Sequence, residues 1–546
     1  MKKYKKELSV ILFCILAVLP IVSLFHPGLP VTHDGQDHVA RIANFYQNLT
    51  EGNFVPGWAA NLNWGYGHPI LEFLYPLPSY IASFFHFTGF SLVNSTKIVY
   101  ALGMVLSLFF MYLWLSQFSS KYAALFGAVL YTYAPYRFVE VYVRGDVGEN
   151  LAFAFIPLTL FFIYKLYKKQ TYNLMFLGGV SLALLILAHN AISLMAMPFV
   201  LVYCGMLLYL SKNRVRLALW FTLLIASGFL LSAFFWVPAL LEGKYTLRDI
   251  VTKGGYLGSF VTLPGIIYGP WNYGITGQFT VQYGLFQWIS IFCSPFVIYF
   301  SRKKREKYLL LIILLLFIIA STFLMFPQSN FIWSKVMLLQ NFQFPWRFLA
   351  LIVFLTAVLG SLVFDLIPKK YGSIMLVVFL LVILVISSFY WKPKSYQYKP
   401  ESFYTGIYDS TTDTGESAPI WSVRFMEHAP KAPIQVVDGT GAAKQLKKTS
   451  TYRDFRIVAK TNVRILINLL YFPNWTVYAN GRPVPIQFQD PRYRGLITFQ
   501  LPAGNYNVEA IFYDTKLRMA AKLISIVTAF VFALFFIIRA LKVTYN

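Results

Sequence analysis

His33-Asp34-Gly35-Gln36-Asp37-His38 places four titratable side chains in six positions, just after an apolar run over residues 8–25. If a helix starts here, Asp34 and His38 stand four apart on one face. That pairing suits a carboxylate general base beside an imidazole. It equally suits a divalent-cation site for Mg or Mn. Capping is the alternative: Asp34 as N-cap and Asp37 in the first turn of a helix over 35–48. A cap needs only one Asp and leaves His33 and His38 unexplained.

Two further stretches could serve the same chemistry. Residues 137–150, RFVEVYVRGDVGEN, end directly before an apolar run. Asp146 or Glu149 could add a second acid to one outer cleft, or the loop is solvated and capped by Glu149 or Asn150. Residues 340–348, QNFQFPWRF, open another apolar run. An interfacial aromatic belt accounts for the Phe and Trp there. Arg347, however, sits in the first turn of a span, where a cation opposes the helix dipole. A guanidinium held there suits a phosphate at headgroup depth, with Lys335 assisting, or simply a lipid headgroup. Tyr268, in YGPWNYG, belongs to a loop with the look of a sugar-stacking surface.

These residues need a platform, and composition says which kind. A 546-residue chain that is 57% hydrophobic and 13% charged is a polytopic membrane protein, not a soluble domain. The net charge of +25 does not signal nucleic acid, because Lys and Arg cluster in short loops between spans, where they set orientation. Cys14, Cys204 and Cys293 fall inside spans as small apolar residues, which excludes a disulfide framework. About 12 spans are expected: 8–25, 94–117, 121–136, 150–167, 172–188, 190–210, 217–240, 284–300, 308–325, 344–366, 372–391 and 519–541. The first reads as an uncleaved span with a cytoplasmic N-terminus.

Residues 69–89 are apolar but carry Glu72, Pro76, Pro78 and His86. If they do not cross, the basic loops 165–169, 212–216, 302–307 and 369–370 and the C-terminal tail all face the cytoplasm. If they do cross, nearly every later basic loop faces out. The segment is therefore expected to lie along the outer surface as an amphipathic or re-entrant element. Outward segments are then 26–93, 137–149, 241–283, 326–343 and 392–518. The last carries β signals at 463–471, 475–489 around Asn480-Gly481, 495–500 and 506–513, and is expected to form a small β-sandwich. The chain thus divides into a transmembrane part (1–391), an extracytoplasmic β-rich domain (392–518) and a final anchor with a cytoplasmic tail (519–546).

Span interiors are nearly free of ionisable groups, which disfavours an ion-coupled carrier. Six of the seven histidines and most acids of the membrane part lie at the expected outer face. That arrangement suits work on something presented there.

An acidic motif in the first outer loop, a Pro-bearing surface element, a second acidic loop and a distal outer domain together resemble the GT-C superfamily of membrane glycosyltransferases. The runs HDGQDHVARI, WGYGHPILEFLYPLPSY, YRFVEVYVRGDVGENLAFAFIPL and NFQFPWRFL are similar to bacterial YfhO-like membrane proteins. They are also similar to proteins labelled 6-pyruvoyl-tetrahydropterin synthase-related. The tail YFPNWTVYANGRPVPI is likewise YfhO-like. The pterin label finds no His cluster of a soluble zinc enzyme here.

The resemblance implies a mostly α, GT-C-like bundle in the plasma membrane, using a polyprenyl-phosphate sugar and an extracytoplasmic cell-envelope acceptor. Asp34 matches the first-loop acid, as general base or acceptor-positioning group, and Asp146 or Glu149 the second-loop acid. His68-Pro69 with 70–88 matches the element closing over the lipid donor, and Arg347 would hold its phosphate. Asp37, His33 and His38 inherit no defined role, and a Mg or Mn requirement stays open. The alternative is a non-catalytic lipid-linked glycan binding or export component. Its outer domain, with 17 Lys and Arg against 10 acids over 392–518, would hold an anionic polymer.

Overall fold

A computed structural model describes residues 2–274 and 279–544. Met1, residues 275–278 of an expected outer segment and the last two residues of the expected tail lie outside it.

Eight helices among the described residues are long and apolar enough to cross a membrane. They are Leu92–Leu115, Val147–Lys168, Asn190–Leu210, Arg214–Leu231, Arg305–Met325, Pro345–Phe364, Lys369–Tyr390 and Lys516–Ile538. Of the other four expected spans, 8–25 is helical throughout, as Lys2–Val18 running into a 3-10 stretch over Leu19–Phe25; the other three are shorter or broken. Tyr172–Ala188 is apolar but brief, and Lys121–Thr132 has 12 residues. The stretch at 284–300 is two eight-residue helices, Leu285–Phe292 and Ser294–Ser301, meeting at Cys293 ahead of Pro295.

Burial ranks the helices. Pro345–Phe364 is 94% buried and Val147–Lys168 83%, so these two form the centre, whereas Lys516–Ile538, at 17%, stands at the edge. Both central helices begin at the face where the polar residues gather. Helix starts follow local chemistry: Ser91, Ser120, Asp146, Thr171, His189 and Asn213 each accept a backbone N–H of the turn they open.

Residues 69–89 form two short helices, Ile70–Phe73 and Leu77–Phe87. Neither can cross, because each residue advances a helix only ~1.5 Å. Phe84 and Phe87 point outward while Pro78, Ser79, Ala82 and Ser83 are buried. The longer helix thus has one exposed apolar face and one buried face.

The C-terminal strands form two antiparallel sheets. We number them β1 (Ile434–Asp438), β2 (Gly441–Lys448), β3 (Tyr452–Ala459), β4 (Val463–Leu470), β5 (Trp475–Ala479), β6 (Arg482–Val484), β7 (Leu496–Leu501) and β8 (Gly504–Phe512). One sheet runs β2-β3-β8-β5-β6 and the other β1-β4-β7. The turn at Pro502-Ala503-Gly504 therefore passes between sheets instead of closing a hairpin. Alternation drives the packing: β3 buries every second side chain, and Phe455 and Ile457 meet Ile465, Ile467 and Phe499 from the opposite sheet in one core. Trp58, Ala60 and Tyr66 of the first outer loop complete that core, with Trp58 edge-on to Trp475 at 5.5 Å.

The β5–β6 hairpin turns at Asn480 (φ 50°) and Gly481 (φ 76°), the two positive values that a tight primed turn demands. Nothing lies within 4 Å of a Cβ added at Gly481. Gly481→Ala therefore meets backbone cost alone. We expect about 1–2 kcal/mol of lost stability, read from urea unfolding of the full chain in detergent by tryptophan fluorescence.

Residues 396–422 do not join either sheet of the sandwich. Tyr396–Gln397 pairs with Leu29–Pro30, Tyr404 and Tyr408 pack into the membrane core, and Leu247 N–H bonds Ala418 O at 2.9 Å. This strap laces together the loops at Leu29–Pro30 and Leu247 and roofs the cavity described next.

Candidate functional site

The chain at Val31–Gly35 lies on the end of a π-turn at Glu140–Arg144: His33 N–H bonds Val143 O at 2.9 Å and Asp34 N–H bonds Arg144 O at 2.8 Å. Gly145 permits this approach. It has φ +74°, and a Cβ there would stand 2.2 Å from Thr32 Oγ1. The helix Gly35–Thr50 starts immediately after, and Thr32 Oγ1, not Asp34, accepts the Gly35 N–H at 3.1 Å. The capping expectation for Asp34 is therefore corrected. Its carboxylate, half-buried, makes no hydrogen bond among the described residues and lines a cavity of about 350 Å³.

Burial pushes the Asp34 carboxyl above its ordinary range, as do Asp146 and Asp37, against the pull of Arg144 and Arg41. Asp37 is raised too, by burial first, and accepts the Tyr408 hydroxyl at 2.8 Å. His38 is buried, with Nδ1 3.2 Å from Arg41 Nη1, and burial together with that guanidinium holds it well below the usual imidazole range. Arg41 is fixed in turn by Thr412, whose Oγ1 accepts Nε at 2.9 Å and whose carbonyl accepts Nη2.

The opposite wall is a buried ion cluster centred on Arg144. Its Nη1 donates to Glu140 Oε1 and Oε2 at 2.7 and 2.8 Å and to Glu149 Oε2 at 2.8 Å, and Nη2 reaches Asp146 Oδ2 at 3.3 Å. The Trp346 ring lies 4.8 Å from this guanidinium. Asp146 caps the helix Val147–Lys168, accepting from Gly148 and Glu149 N–H at 3.0 and 2.8 Å and from Tyr75 Oη at 3.1 Å. The cap is one acid earlier than the Glu149 or Asn150 alternative. Burial alone would raise Asp146, but His189, Arg144 and His38 outweigh it and hold it well below the carboxylate range. Glu149 accepts Tyr136 Oη at 2.6 Å and pairs with Arg347 Nε at 3.2 Å.

Arg347 is brought to the cavity as expected. Its Nη1 donates to Phe342 O at 2.8 Å, which leaves Nη2 without a partner among the described residues. Asp37, His38 and Asp146 line the same cavity.

Three expected binding residues do not reach it. His33 is exposed on the far side of its turn, with Nε2 3.2 Å from Tyr273 O. His68 is fully buried, held by the Ala59–His68 bridge, and faces Asp413 at 3.5 Å. It is Asp413 that lines the cavity, held well below the carboxylate range as His68 offsets the cost of burial. Tyr268, 70% exposed, borders a separate apolar cavity of about 620 Å³ beside Trp288 and Tyr390. Lys335 is exposed and also outside.

Sequence reasoning passed over Arg41, His189, Tyr75 and Tyr408. Arg41 stands one helical turn beyond His38, so the 3–4 spacing that paired Asp34 with His38 also reaches it. His189 opens the helix Asn190–Leu210, its Nδ1 accepting Ile192 N–H at 3.2 Å. Nε2 therefore carries the proton, and it faces Asp146 Oδ2 at 3.7 Å. Tyr408 is some 370 positions from Asp37 and carried no local signal.

Ligand atoms of Asp146, Glu149 and His189 lie within 4.8 Å of one another. They do not fit a divalent cation. Asp146 Oδ1 already accepts three donors, and Arg144 and Arg347 crowd Glu149 Oε2. The Asp34–His38 pair does not fit one either, since Arg41 stands at His38 Nδ1.

A likeness to known proteins covers most of this framework. An uncharacterized protein of Lactococcus lactis subsp. cremoris (strain MG1363) is 28% identical over 261 residues, 46% of this chain and 42% of the relative. The match thus spans less than half the relative's length. Among solved structures, the arabinofuranosyltransferase AftD from mycobacteria superposes with a TM-score of 0.44 at 14% identity, over 69% of this chain and 26% of that one. The Archaeoglobus fulgidus oligosaccharyltransferase complex with Zn and sulfate gives 0.43 at 15%, covering 73% and 58%. ArnT from Cupriavidus metallidurans bound to undecaprenyl phosphate gives 0.41 at 15%, covering 72% and 67%. The model of the 6-pyruvoyl-tetrahydropterin synthase related domain, a membrane protein family, matches residues 71–394. With well over half its length inside that match, and with the membrane-length helices and apolar core to go with it, the chain belongs to the 6-pyruvoyl-tetrahydropterin synthase related family of membrane proteins.

Proposed function

We propose that the chain is a GT-C-type glycosyltransferase that moves a sugar from a polyprenyl-phosphate donor to a cell-envelope acceptor outside the cytoplasm. The observation that carries this reading is Asp34. Its carboxylate has no hydrogen-bond partner among the described residues, borders a cavity, and is raised by burial toward the range where a base is effective. An acceptor hydroxyl at Asp34 would give up its proton as it attacks the anomeric carbon. The bond to the lipid phosphate then breaks, and the phosphate leaves with its electron pair.

That leaving group is already anionic, so the protein need only support its charge. Arg347, with Nη2 free toward the cavity, is the group we assign to it, and Arg41 and Arg144 add positive potential. Asp146 and Glu149 act as positioning residues: they hold Arg144 and Arg347, and Asp146 faces His189. The sandwich side is assigned to the outside by the basic loops at the opposite ends of the spans, with both termini cytoplasmic.

The test is transfer from a radiolabelled panel of polyprenyl-phosphate sugars in membranes, comparing the native chain with Asp34→Asn. Transfer that disappears only in the variant supports the proposal. Equal transfer by both removes Asp34 from the mechanism. Donor binding without any transfer moves the reading to a non-catalytic lipid-linked glycan binder. Because guanidinium groups already occupy the places a cation would need, EDTA is expected to leave the rate within twofold of untreated membranes. A chelator-sensitive rate restored by Mg or Mn would return a metal to the site.

A further inference from the structure

A smaller cavity, of about 240 Å³, lies between the strap, the loop at Trp64 and the sandwich. Its lining holds Lys431, Lys448 and Arg453 and no acidic residue. Arg453 on β3 is only 4% exposed, yet no carboxylate pairs with it. Its Nη1 donates to the carbonyls of Thr449 and Tyr452, and Nη2 is buried with no partner among the described residues. Glu51 acts electrostatically on Arg453 and Lys448 but makes an ion pair with neither; its oxygens accept Ser450 N–H at 2.8 Å and the Gln47 amide at 2.9 Å.

An uncompensated buried guanidinium is costly. Burial brings Arg453 down to about 10. Lys448 is tied only to a neutral partner, Asn61 Oδ1 at 2.9 Å. Lys431 is exposed and unpaired among the described residues. Lys431, Lys448 and Arg453 outnumber the one acid that acts on them, Glu51, which stands outside the lining, and such an excess of cations at one cavity makes a site for an anion.

Trp64 supplies a second feature. It stands in the same lining with φ +60°, a conformation a bulky residue adopts only when held. Its N–H is held by Tyr408 O at 2.9 Å and the preceding Asn63 N–H by Ser410 O at 2.9 Å. An indole fixed beside cations offers a sugar face and an anion contact together. The cavity is smaller than the ~300–1,000 Å³ usual for drug-sized ligands, so it suits one charged group or ring. The strap also links it to the candidate active site. Ile407 lines this cavity, and the next residue, Tyr408, bonds Asp37 in the other.

We infer that this cavity is an oxyanion site that takes a phosphate or carboxylate carried on a saccharide, placing an anionic glycan on the outer side of the Asp34 cavity. Calling that glycan the acceptor rests on the proposed transferase reading; oxyanion binding does not. The experiment is calorimetric titration of the full chain in detergent at low salt, without donor, so that it is blind to turnover. The probes are an oligogalacturonate, a neutral malto-oligosaccharide of equal length and inorganic phosphate. The uronate is expected to bind at least tenfold more tightly than the neutral sugar and to be displaced by phosphate. Lys448→Gln, at an exposed position, and Arg453→Gln are each expected to weaken it at least tenfold. Phosphate binding with no gain from the saccharide overturns the glycan assignment. No binding by any probe, or unchanged uronate binding in monodisperse Lys448→Gln protein, overturns the site. Asp34→Asn protein should titrate like the native chain, which separates failure here from failure of the transferase reading.

Discussion

Asp34→Asn is expected to lower sugar transfer by about 10²–10⁴-fold, the usual cost of removing a positioned general base, while leaving the fold at least as stable as before. The second half of that expectation follows from the site. The carboxylate makes no hydrogen bond that Asn would break, and burial raises it above its unfolded value. A carboxyl raised on folding binds its proton more tightly in the native state. Its contribution therefore declines as pH rises from about 3.9 through the raised value, and stays lower at neutral pH. Neutralising it relieves that cost.

An inactive variant with an unchanged or higher melting temperature marks Asp34 as functional; an inactive variant that melts early marks it as structural. The same titration predicts the acid limb of the native profile. Transfer should rise with pH through the native Asp34 value, above the range of an ordinary exposed Asp, and the limb should vanish from the residual activity of Asp34→Asn.

Much of this frame was legible in the sequence, and the reasons are local. Apolar runs ending in basic loops identify Leu92–Leu115 and Arg305–Met325 because bilayer thickness fixes both length and flanking charge. Asn480-Gly481 announces its turn because few residue pairs tolerate two positive φ values. Span number was less legible, since an apolar run does not disclose whether it is one helix or two: 284–300 breaks at Cys293 ahead of Pro295.

The site divides the same way. Asp34, Asp37, His38, Asp146 and Arg347 could be picked by type and spacing, and the fold gathers them around one cavity. Spacing could not say which histidine of His33 and His38 turns inward, because that depends on how the turn lies on residues 143–145. Nor could it bring in Thr412 and Asp413, which close the cavity from the strap, or Tyr408, which bonds Asp37 there from 371 residues along the chain. Long-range partners of that kind leave no periodic trace.

Arg144→Gln carries the largest expected structural effect, because this guanidinium is what lets three acids share one buried wall. Both Glu140 oxygens bond only to its Nη1, at 2.7 and 2.8 Å, and Glu140 is fully buried. Glu149 and Asp146 retain other donors, namely Tyr136, Arg347, Tyr75 and the Val147–Lys168 cap. Glutamine can donate to one carboxylate but brings no charge, so Glu140 is left with like-charged neighbours and only the electrostatic pull of Arg137, which does not bond to it. Breaking a buried pair from one side costs roughly 3–5 kcal/mol, read as a large drop in the melting temperature of detergent-solubilised protein. If the loss stems from the stranded acid, removing that acid's charge should repair part of it. Arg144→Gln combined with Glu140→Gln is then expected to melt above Arg144→Gln alone, the non-additive pattern of residues in direct contact. Additive losses would instead place the role of Arg144 in its packing against Trp346. The double variant also bears on function, since Arg144 helps hold the wall that carries Glu149 and Arg347. Restored folding without restored transfer would show that the wall needs its charge and not only its shape.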